Sequence, residues 1–524
     1  MSLEVYNSGF PILSFIVACP LVAAFVLLFL KDEMLGAIRA VALIGATASA
    51  IGAFYVAIAY ASFDGGRFAF VERYDIIPSL GIEYVMAVDG WGASLLLLTG
   101  IIIFAGVFAT FTLEERAREF FIFLLVLVAG VYGVFVSQDL FVFFLFYEIA
   151  VLPMYLLIGI WGSSGKVAEA GPFRFVFRML DVGGKEYAAM KLTLMLLIGS
   201  ALILASMLGM YLEAGNTFLM TTMETTQFST TLQILAFPAL WVGFGTLAGL
   251  FPFHTWSPDG HAAAPTAVSM LHAGVLMKLG AFGVIRVGMM LLPEGAQYWA
   301  WTVGTVACVN VVYGAMCAMA QKDLKYIIAY SSVSHMGVVL LGAGTLTIDG
   351  WNGAIYQMFA HGIMTGLFFA LVGIVYGRTH DRWIPHMGGF AKIMPLAAVF
   401  FTLAGLSSLG LPGTAGFVAE FLVFLGAWES ENWWWAIAGA LGAFFTAVYV
   451  LRATKIIFWG EGPPPKFAEL QDAVGSERVA LWTLGIALVV FGAWPRFLLD
   501  LIDGTTPGYL QMALETVVAS GGVP

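Results

Sequence analysis

The chain has 524 residues, of which 60% are hydrophobic and 11% charged, and a formal net charge of −10. Soluble domains run at about 45–50% apolar and about 25% charged residues, and nucleic-acid binders carry a Lys/Arg surplus, so a soluble domain and a nucleic-acid partner are both excluded. Three cysteines, Cys19, Cys308 and Cys317, lie in apolar stretches without CxxC spacing, which leaves no metal site, iron–sulfur cluster or other cofactor to expect on this chain.

The apolar residues fall into runs of about 20, long enough at about 1.5 Å per residue to cross a hydrocarbon core of about 30 Å. In chain order the expected spans cover residues 11–30, 38–62, 92–112, 119–136, 140–161, 190–212, 231–254, 266–293, 297–319, 325–345, 352–376, 393–427, 433–458 and 479–499. The fold class is an all-α polytopic membrane protein of about fourteen transmembrane helices. The first run has its lysine after the apolar residues and is too long for a signal-peptide core, so it is expected to be a membrane helix. Residues 63–90 and 500–524 are too polar to span and are expected to lie over the outer face.

Short loops rich in Lys and Arg stay cytoplasmic. The loops after odd-numbered spans hold Lys31 and Arg39; Arg116 and Arg118; Lys166, Arg174, Arg178 and Lys185; Lys322 and Lys325; Arg378, Arg382 and Lys392; Lys466 and Arg478. Loops after even-numbered spans hold few, chiefly Arg67, Arg73 and Arg496. Both termini are therefore expected on the outer, periplasmic side of a prokaryotic cytoplasmic membrane.

Two spans are interrupted. Span 7 runs into GLFPFHTWSPDGHAAAP, with Gly249, Pro252 and Pro258, and span 12 contains SSLGLPGTAGF, with Gly410, Pro412, Gly413 and Gly416. Freed backbone groups at membrane depth need protein or a water-filled cavity to satisfy them, so paired breaks in two halves point to an ion path. The breaks fall five spans apart, and an odd offset reverses orientation. This suggests inverted repeats of spans 4–8 and 9–13, with domains at 1–118, 119–293, 294–460 and 461–524.

Ionisable groups inside a membrane are costly and mark ion or proton pathways. Glu148 sits in span 5 about one turn before Pro153, Lys278 deep in SMLHAGVLMKLGAFGV, and Glu420 just after the second break in GTAGFVAEFLVF. Five histidines, His254, His261, His272, His335 and His361, fall in or beside apolar spans, and their titration near neutrality suits them to relay protons. No HExxH pair, phosphate loop or nucleophile–base arrangement accompanies them, so the chemistry to expect is proton transfer.

The motifs FYEIAVLPMYLLIGIWG, PFHTWSPDGHAAAPTAVSMLHAGVLMKLGAFG, DLKYIIAYSSVSHMG and LPGTAGFVAEFLVF resemble the antiporter-like subunit M (chain 4) family of complex I, the proton-pumping NADH:quinone oxidoreductase. The resemblance runs from about residue 85 to residue 460. It implies a fourteen-helix subunit of two inverted five-helix repeats, with other membrane-arm subunits on both sides, lipid around it, and protons and water as its cargo. It also implies a row of protonatable residues at mid-membrane. By motif, Glu148 matches the fifth-helix glutamate that receives the coupling signal and Lys278 the central eighth-helix lysine. His335 and His361 match the relay histidines of helices ten and eleven, and Glu420 the exit-side glutamate. His254 is the histidine of the PxHxW motif. Redox chemistry and quinone binding would belong to other chains.

One departure is Leu247, where family members usually place a lysine seven residues before that histidine. Glu148 thereby loses its expected partner, and Lys191, or bound water with His254, is the candidate substitute. The loop 163–189 is also long for the family, and GPFRFVFRMLDVGGKEY could dock a neighbouring subunit. Two other readings remain at this stage, a subunit of an Mrp-type cation/proton antiporter and a structural subunit that no longer pumps.

Overall fold

A backbone in hydrocarbon has to satisfy its own N–H and C=O groups, so the apolar runs are expected to be helical. The computed structural model describes residues 9–63, 67–164 and 183–511. Its principal helices are α1 (Ile12–Leu27), α2 (Leu35–Ala61), α3 (Gly90–Ala109), α4 (Ala117–Val136), α5 (Leu140–Trp161), α6 (Lys185–Glu213), α7 (Thr230–Ala248), α8 (Trp256–Ala263), α9 (Thr266–Met289) and α10 (Pro293–Ala320). They continue as α11 (Leu324–Gly344), α12 (Ile348–Thr379), α13 (Pro395–Ser408), α14 (Ala415–Glu429), α15 (Trp434–Phe458), α16 (Gly475–Ala493) and α17 (Arg496–Asp503). Among the described residues twelve helices are long and apolar enough to cross a membrane, and α1 and α13 are shorter apolar helices. Span 7 is the pair α7 and α8, and span 12 the pair α13 and α14. The segment 165–182, which holds most of the suggested docking element, lies outside the described residues.

Residues 63–90 hold an element that their mixed polarity did not announce. Strands β1 (Ala69–Ile77) and β2 (Ile82–Val88) pair antiparallel, with Tyr74 opposite Tyr84. The carboxylate of Glu72 on β1 accepts from the backbone N–H of Leu13 at 2.8 Å and of Ser14 at 3.1 Å. The α1 N-terminus has only Pro11 at its cap, so the hairpin supplies the anion that its free N–H groups and dipole favour. The C-terminal segment closes over the same face. Thr505 Oγ1 accepts from Gly90 N–H at 3.0 Å, Thr506 Oγ1 accepts from Trp91 Nε1–H at 2.9 Å, and buried Asp89 pairs with buried Arg286 and Tyr509.

The opposite face carries the basic loops. There Arg118 donates to the Leu30 carbonyl at 2.9 Å, Lys325 to Ala264 at 2.8 Å, Arg382 to Ala262 at 3.0 Å and Arg452 to Gln321 at 2.9 Å. These carbonyls close the ends of α1, α8 and α10. Cations there meet both the unpaired carbonyls and the negative end of the helix dipole.

The two halves repeat the same local devices. Asp139 caps α5 by accepting from Phe141 and Val142 N–H, and Asp323 caps α11 by accepting from Lys325 and Tyr326 N–H. Each aspartate also sits in an isolated antiparallel bridge to the chain leaving the following helix, at Leu219 and at Trp383. The breaks match as well. Gly249 (φ +83°) and Gly410 (φ +72°) are left-handed, and in both the glycine N–H bonds three residues back and the next leucine N–H five residues back. This is the 6→1, 5→2 helix ending that glycine permits.

Candidate functional site

The site is built where α9 meets α12. Lys278 stands twelve residues past Thr266, about 18 Å along the helix at about 1.5 Å per residue, and is fully buried. Close approach of the two helices depends on glycine. A Cβ on Gly362 would come within 2.6 Å of the Gly274 carbonyl, and one on Gly274 within 3.4 Å of the Gly362 carbonyl. Two wider π-helical turns, His272–Leu276 and Val284–Met289, flank the lysine. Its Nζ donates to the Ala273 carbonyl inside the first of them, the kind of distortion that recurs at functional sites.

From Lys278 the polar groups run into the second half of the molecule. Lys278 Nζ is 2.6 Å from His361 Nδ1. With Nδ1 as acceptor the imidazole proton sits on Nε2, which has no hydrogen-bond partner among the described residues. The His361 and His335 rings lie 5.4 Å apart, centroid to centroid. His335 Nδ1 is 3.4 Å from Glu420 Oε1 and 3.3 Å from the Gln357 amide, while its Nε2 is 3.0 Å from Ser408 Oγ. Glu420 lies one turn into α14, beside the turn at Gly410, where a Cβ would stand 2.8 Å from its Oε2. Lysine, two imidazoles and a carboxylate thus form a buried series of groups that can each hold or release a proton. Lys278 touches His361 and His335 approaches Glu420, while the step between the two imidazoles has no direct hydrogen bond among the described residues.

The other residues singled out in the sequence lie apart from that series. Glu148, partly exposed on α5, accepts from the Ser200 hydroxyl of α6. Lys191 does not reach it. Its Nζ is 2.7 Å from Asp259, whose other oxygen accepts from Tyr326 at 2.9 Å. His254 packs against Phe251 and Tyr313 at 5.8 and 5.2 Å, and both its ring nitrogens are buried without a hydrogen-bond partner among the described residues. Leu247 is fully buried in the apolar core.

His261 on α8 and His272 on α9, two of the five histidines named as relay candidates, have rings 4.0 Å apart, but no hydrogen bond joins either to the Lys278 series among the described residues. Other polar residues carry no motif and are not singled out by the sequence. Asn310 in α10 accepts from Phe251 N–H at 2.5 Å and donates to the Gly249 and Val333 carbonyls at 3.1 and 2.9 Å. One amide therefore satisfies the backbone freed at the first break, which is what an interrupted helix at this depth requires. A lone asparagine in the apolar run ACVNVV was the available signal.

Residues 137–183 and 183–446 match the family described as NADH:quinone oxidoreductase/Mrp antiporter, transmembrane. The chain is 35% identical to the NAD(P)H-quinone oxidoreductase chain 4 2 of Thermosynechococcus vestitus, over 95% of this chain and 92% of that one. It superposes on a chain of respiratory complex I from Thermus thermophilus with a TM-score of 0.84 and 28% identity, covering 96% of this chain and 99% of that chain. A chain of the Mrp complex from Dietzia sp. shares the fold at a TM-score of 0.79 and 18% identity, covering 96% and 99%. The family match over most of the chain and the identity sustained along a full-length relative lead to one assignment: this multi-pass membrane protein belongs to the NADH:quinone oxidoreductase/Mrp antiporter transmembrane family.

Proposed function

We propose that this chain is the chain 4 type, proton-translocating subunit in the membrane arm of a complex-I-type NADH:quinone oxidoreductase. It contributes no redox group, and electron transfer on other subunits drives its protons. The observation that carries this reading is the buried series Lys278, His361, His335 and Glu420, which leads from the middle of α9 to the break between α13 and α14. Placing four ionisable groups in a membrane interior is costly unless they serve transport. That cost also argues against a subunit that no longer pumps.

In this reading Glu148 receives the coupling signal at the α5–α6 surface, where a neighbouring membrane-arm subunit sits. Its arrival changes whether Lys278 holds its proton. Lys278 then passes the proton to His361, His335 takes it on, and Glu420 releases it beside the second break. The matched caps and breaks support two inverted repeats, spans 4–8 and 9–13, within domains 1–118, 119–293, 294–460 and 461–524. The basic face would be cytoplasmic and the hairpin face outer, with both termini outside.

The test is purification of the tagged chain from native membranes. It is expected to bring down further membrane-arm subunits with donor-driven quinone reductase activity, and inverted vesicles should acidify during turnover. Recovery with antiporter subunits alone, without quinone reductase activity, would overturn the proposal in favour of the Mrp-type reading.

A further inference from the structure

Glu148 and Lys278 are separated by packed rings. Phe143 and Tyr147 of α5 both meet the Phe244 ring of α7 edge-on, at 5.9 and 5.7 Å between centroids. Phe244 in turn presses on α9. A Cβ on Gly280 would come within 2.4 Å of the Phe244 carbonyl, and one on Gly283 within 2.5 Å of its ring. Phe282 continues the wall, 6.4 Å from Phe143 and 5.4 Å from Phe135. Lys278, two residues before Gly280, turns its ammonium away from the wall, to Ala273 and His361. Leu247, three residues past Phe244, adds no polar atom.

Tyr147 is the exception in this wall. Its side chain is fully buried and its hydroxyl has no hydrogen-bond partner among the described residues. Its ring runs parallel to that of Phe144, 6.3 Å away between centroids. A buried unpaired hydroxyl is destabilising, and its presence in a native interior calls for an explanation. Consecutive helix residues point about 100° apart. The one step from Glu148 to Tyr147 therefore carries the polar tip from the Ser200 side of α5 to the Phe244 side.

We propose that the Tyr147 hydroxyl, set in the aromatic wall beside Glu148, conducts protons between Glu148 and the Lys278 series in place of the ammonium that Leu247 does not supply. This rests on the proposed reading of Glu148 and Lys278 as proton carriers. Through an oxygen lone pair the hydroxyl accepts the proton that Glu148 releases, relayed by water, as Glu148 becomes a carboxylate. At the same time its own O–H bond breaks and that proton passes, again by water, to the neutral amine of Lys278, which becomes the ammonium. The phenol is neutral before and after, and nothing is oxidised or reduced. Rotation of the hydroxyl resets it. Tryptophan, a donor without an acceptor, and phenylalanine, with neither, could not do this.

The experiment uses the assembled complex in native membrane vesicles. Tyr147→Phe keeps the ring and removes the oxygen, and is expected to lower proton pumping and coupled turnover by about tenfold or more, at the low end of what a positioned proton carrier contributes or below it. Incorporation of difluorotyrosine at 147 keeps the hydroxyl but makes it more acidic, and is expected to shift the pH profile of turnover. Normal pumping in Tyr147→Phe would overturn the proposal. So would a loss in Tyr147→Phe with an unshifted profile in the fluorinated protein, since packing alone would then account for it. Glu148→Gln is measured in parallel. Normal pumping in both variants would count against the reading of Glu148 itself, whereas normal pumping in Tyr147→Phe alone would remove only the role of Tyr147.

Discussion

In the half from α4 to α9, Glu148 meets Ser200 near the surface, and its helix neighbours Phe143 and Tyr147 build a wall of aromatic rings with Phe244. In the half from α10 to α15, His361, His335 and Glu420 extend from Lys278 without an aromatic interruption. Each half starts one helix, α5 or α11, with a capping aspartate and ends another, α7 or α13, at a left-handed glycine. The backbone plan is therefore shared, and the difference lies in a few side chains. A shared scaffold fixes where groups can stand, and single positions such as Leu247 and Tyr147 then decide which half carries a continuous series.

The strongest way to break this comparison is to remove the residue from which the continuous series starts. Lys278→Ala is expected to lower proton-coupled turnover by about a hundredfold, within the range for loss of a proton-transfer group and equivalent to about 2.7 kcal/mol. The measurement is quinone reductase activity and pumping in membranes with normal subunit content. Wild-type rates and pumping stoichiometry there would show that the series is not a relay.

Next in size is Asn310→Leu, which tests whether the first break is held by one amide. Removing it leaves the Phe251 N–H and the Gly249 and Val333 carbonyls short of a partner. Unpaired buried groups cost about 1–3 kcal/mol each, so after partial relaxation a loss of about 2 kcal/mol is expected. Thermal unfolding of the purified complex, read at this subunit, is the check. An unchanged transition would mean that water or another side chain satisfies the break.

How much of this was legible in the sequence depends on the range of the signal. The spans, both breaks and the intramembrane charges are local, since a lysine among leucines is conspicuous wherever the helix sits. The partners are not local. Lys278 finds His361 across 83 residues, His335 finds Ser408 across 73, and Glu148 finds Ser200 across 52. Lys191 was a candidate partner of Glu148 by span alone, but α6 directs it to Asp259 on α8. Ser200, Ser408 and Asn310 are small polar groups common in any helix, so only packing gives them meaning. The hairpin was hidden for another reason: β1 carries Glu72, Arg73 and Asp75 close together and is exposed from Arg73 to Ile77 without alternation, which reads as a polar loop.

A smaller effect is expected at the far end of the series. Glu420→Gln keeps the shape and a hydrogen-bonding tip beside His335, and Ser408 at 3.0 Å from the same imidazole remains in place. Turnover should fall by about fivefold, roughly 1 kcal/mol. Steady-state pumping against Lys278→Ala is the comparison that sharpens the ranking. A loss as deep as that of the lysine variant would make Glu420 an obligatory carrier rather than one of two groups at the mouth.

The smallest effect is expected where the two halves are made more alike. Leu247→Lys puts an ammonium into a fully buried site against the α9 backbone, since a Cβ on Gly280 already approaches the Leu247 carbonyl carbon to 3.1 Å. Extended toward Glu148, it would compete with Ser200 for the carboxylate and form a buried ion pair. Such a pair can be worth several kcal/mol in either direction once desolvation is counted, and it strongly resists separation. Extended toward Lys278, it would bring two cations together and oppose proton loading there. Neither course suits a network in which Glu148 is served by a hydroxyl, so turnover is expected to slow by about two- to threefold, roughly 0.5 kcal/mol, rather than rise. A double-mutant cycle with Glu148→Gln separates the two courses. If the pair is the cause, Glu148→Gln should remove the effect of the lysine, and if repulsion from Lys278 is the cause, the two effects should add. Faster pumping in Leu247→Lys would show instead that the aromatic wall limits the native protein and that an ammonium relieves it.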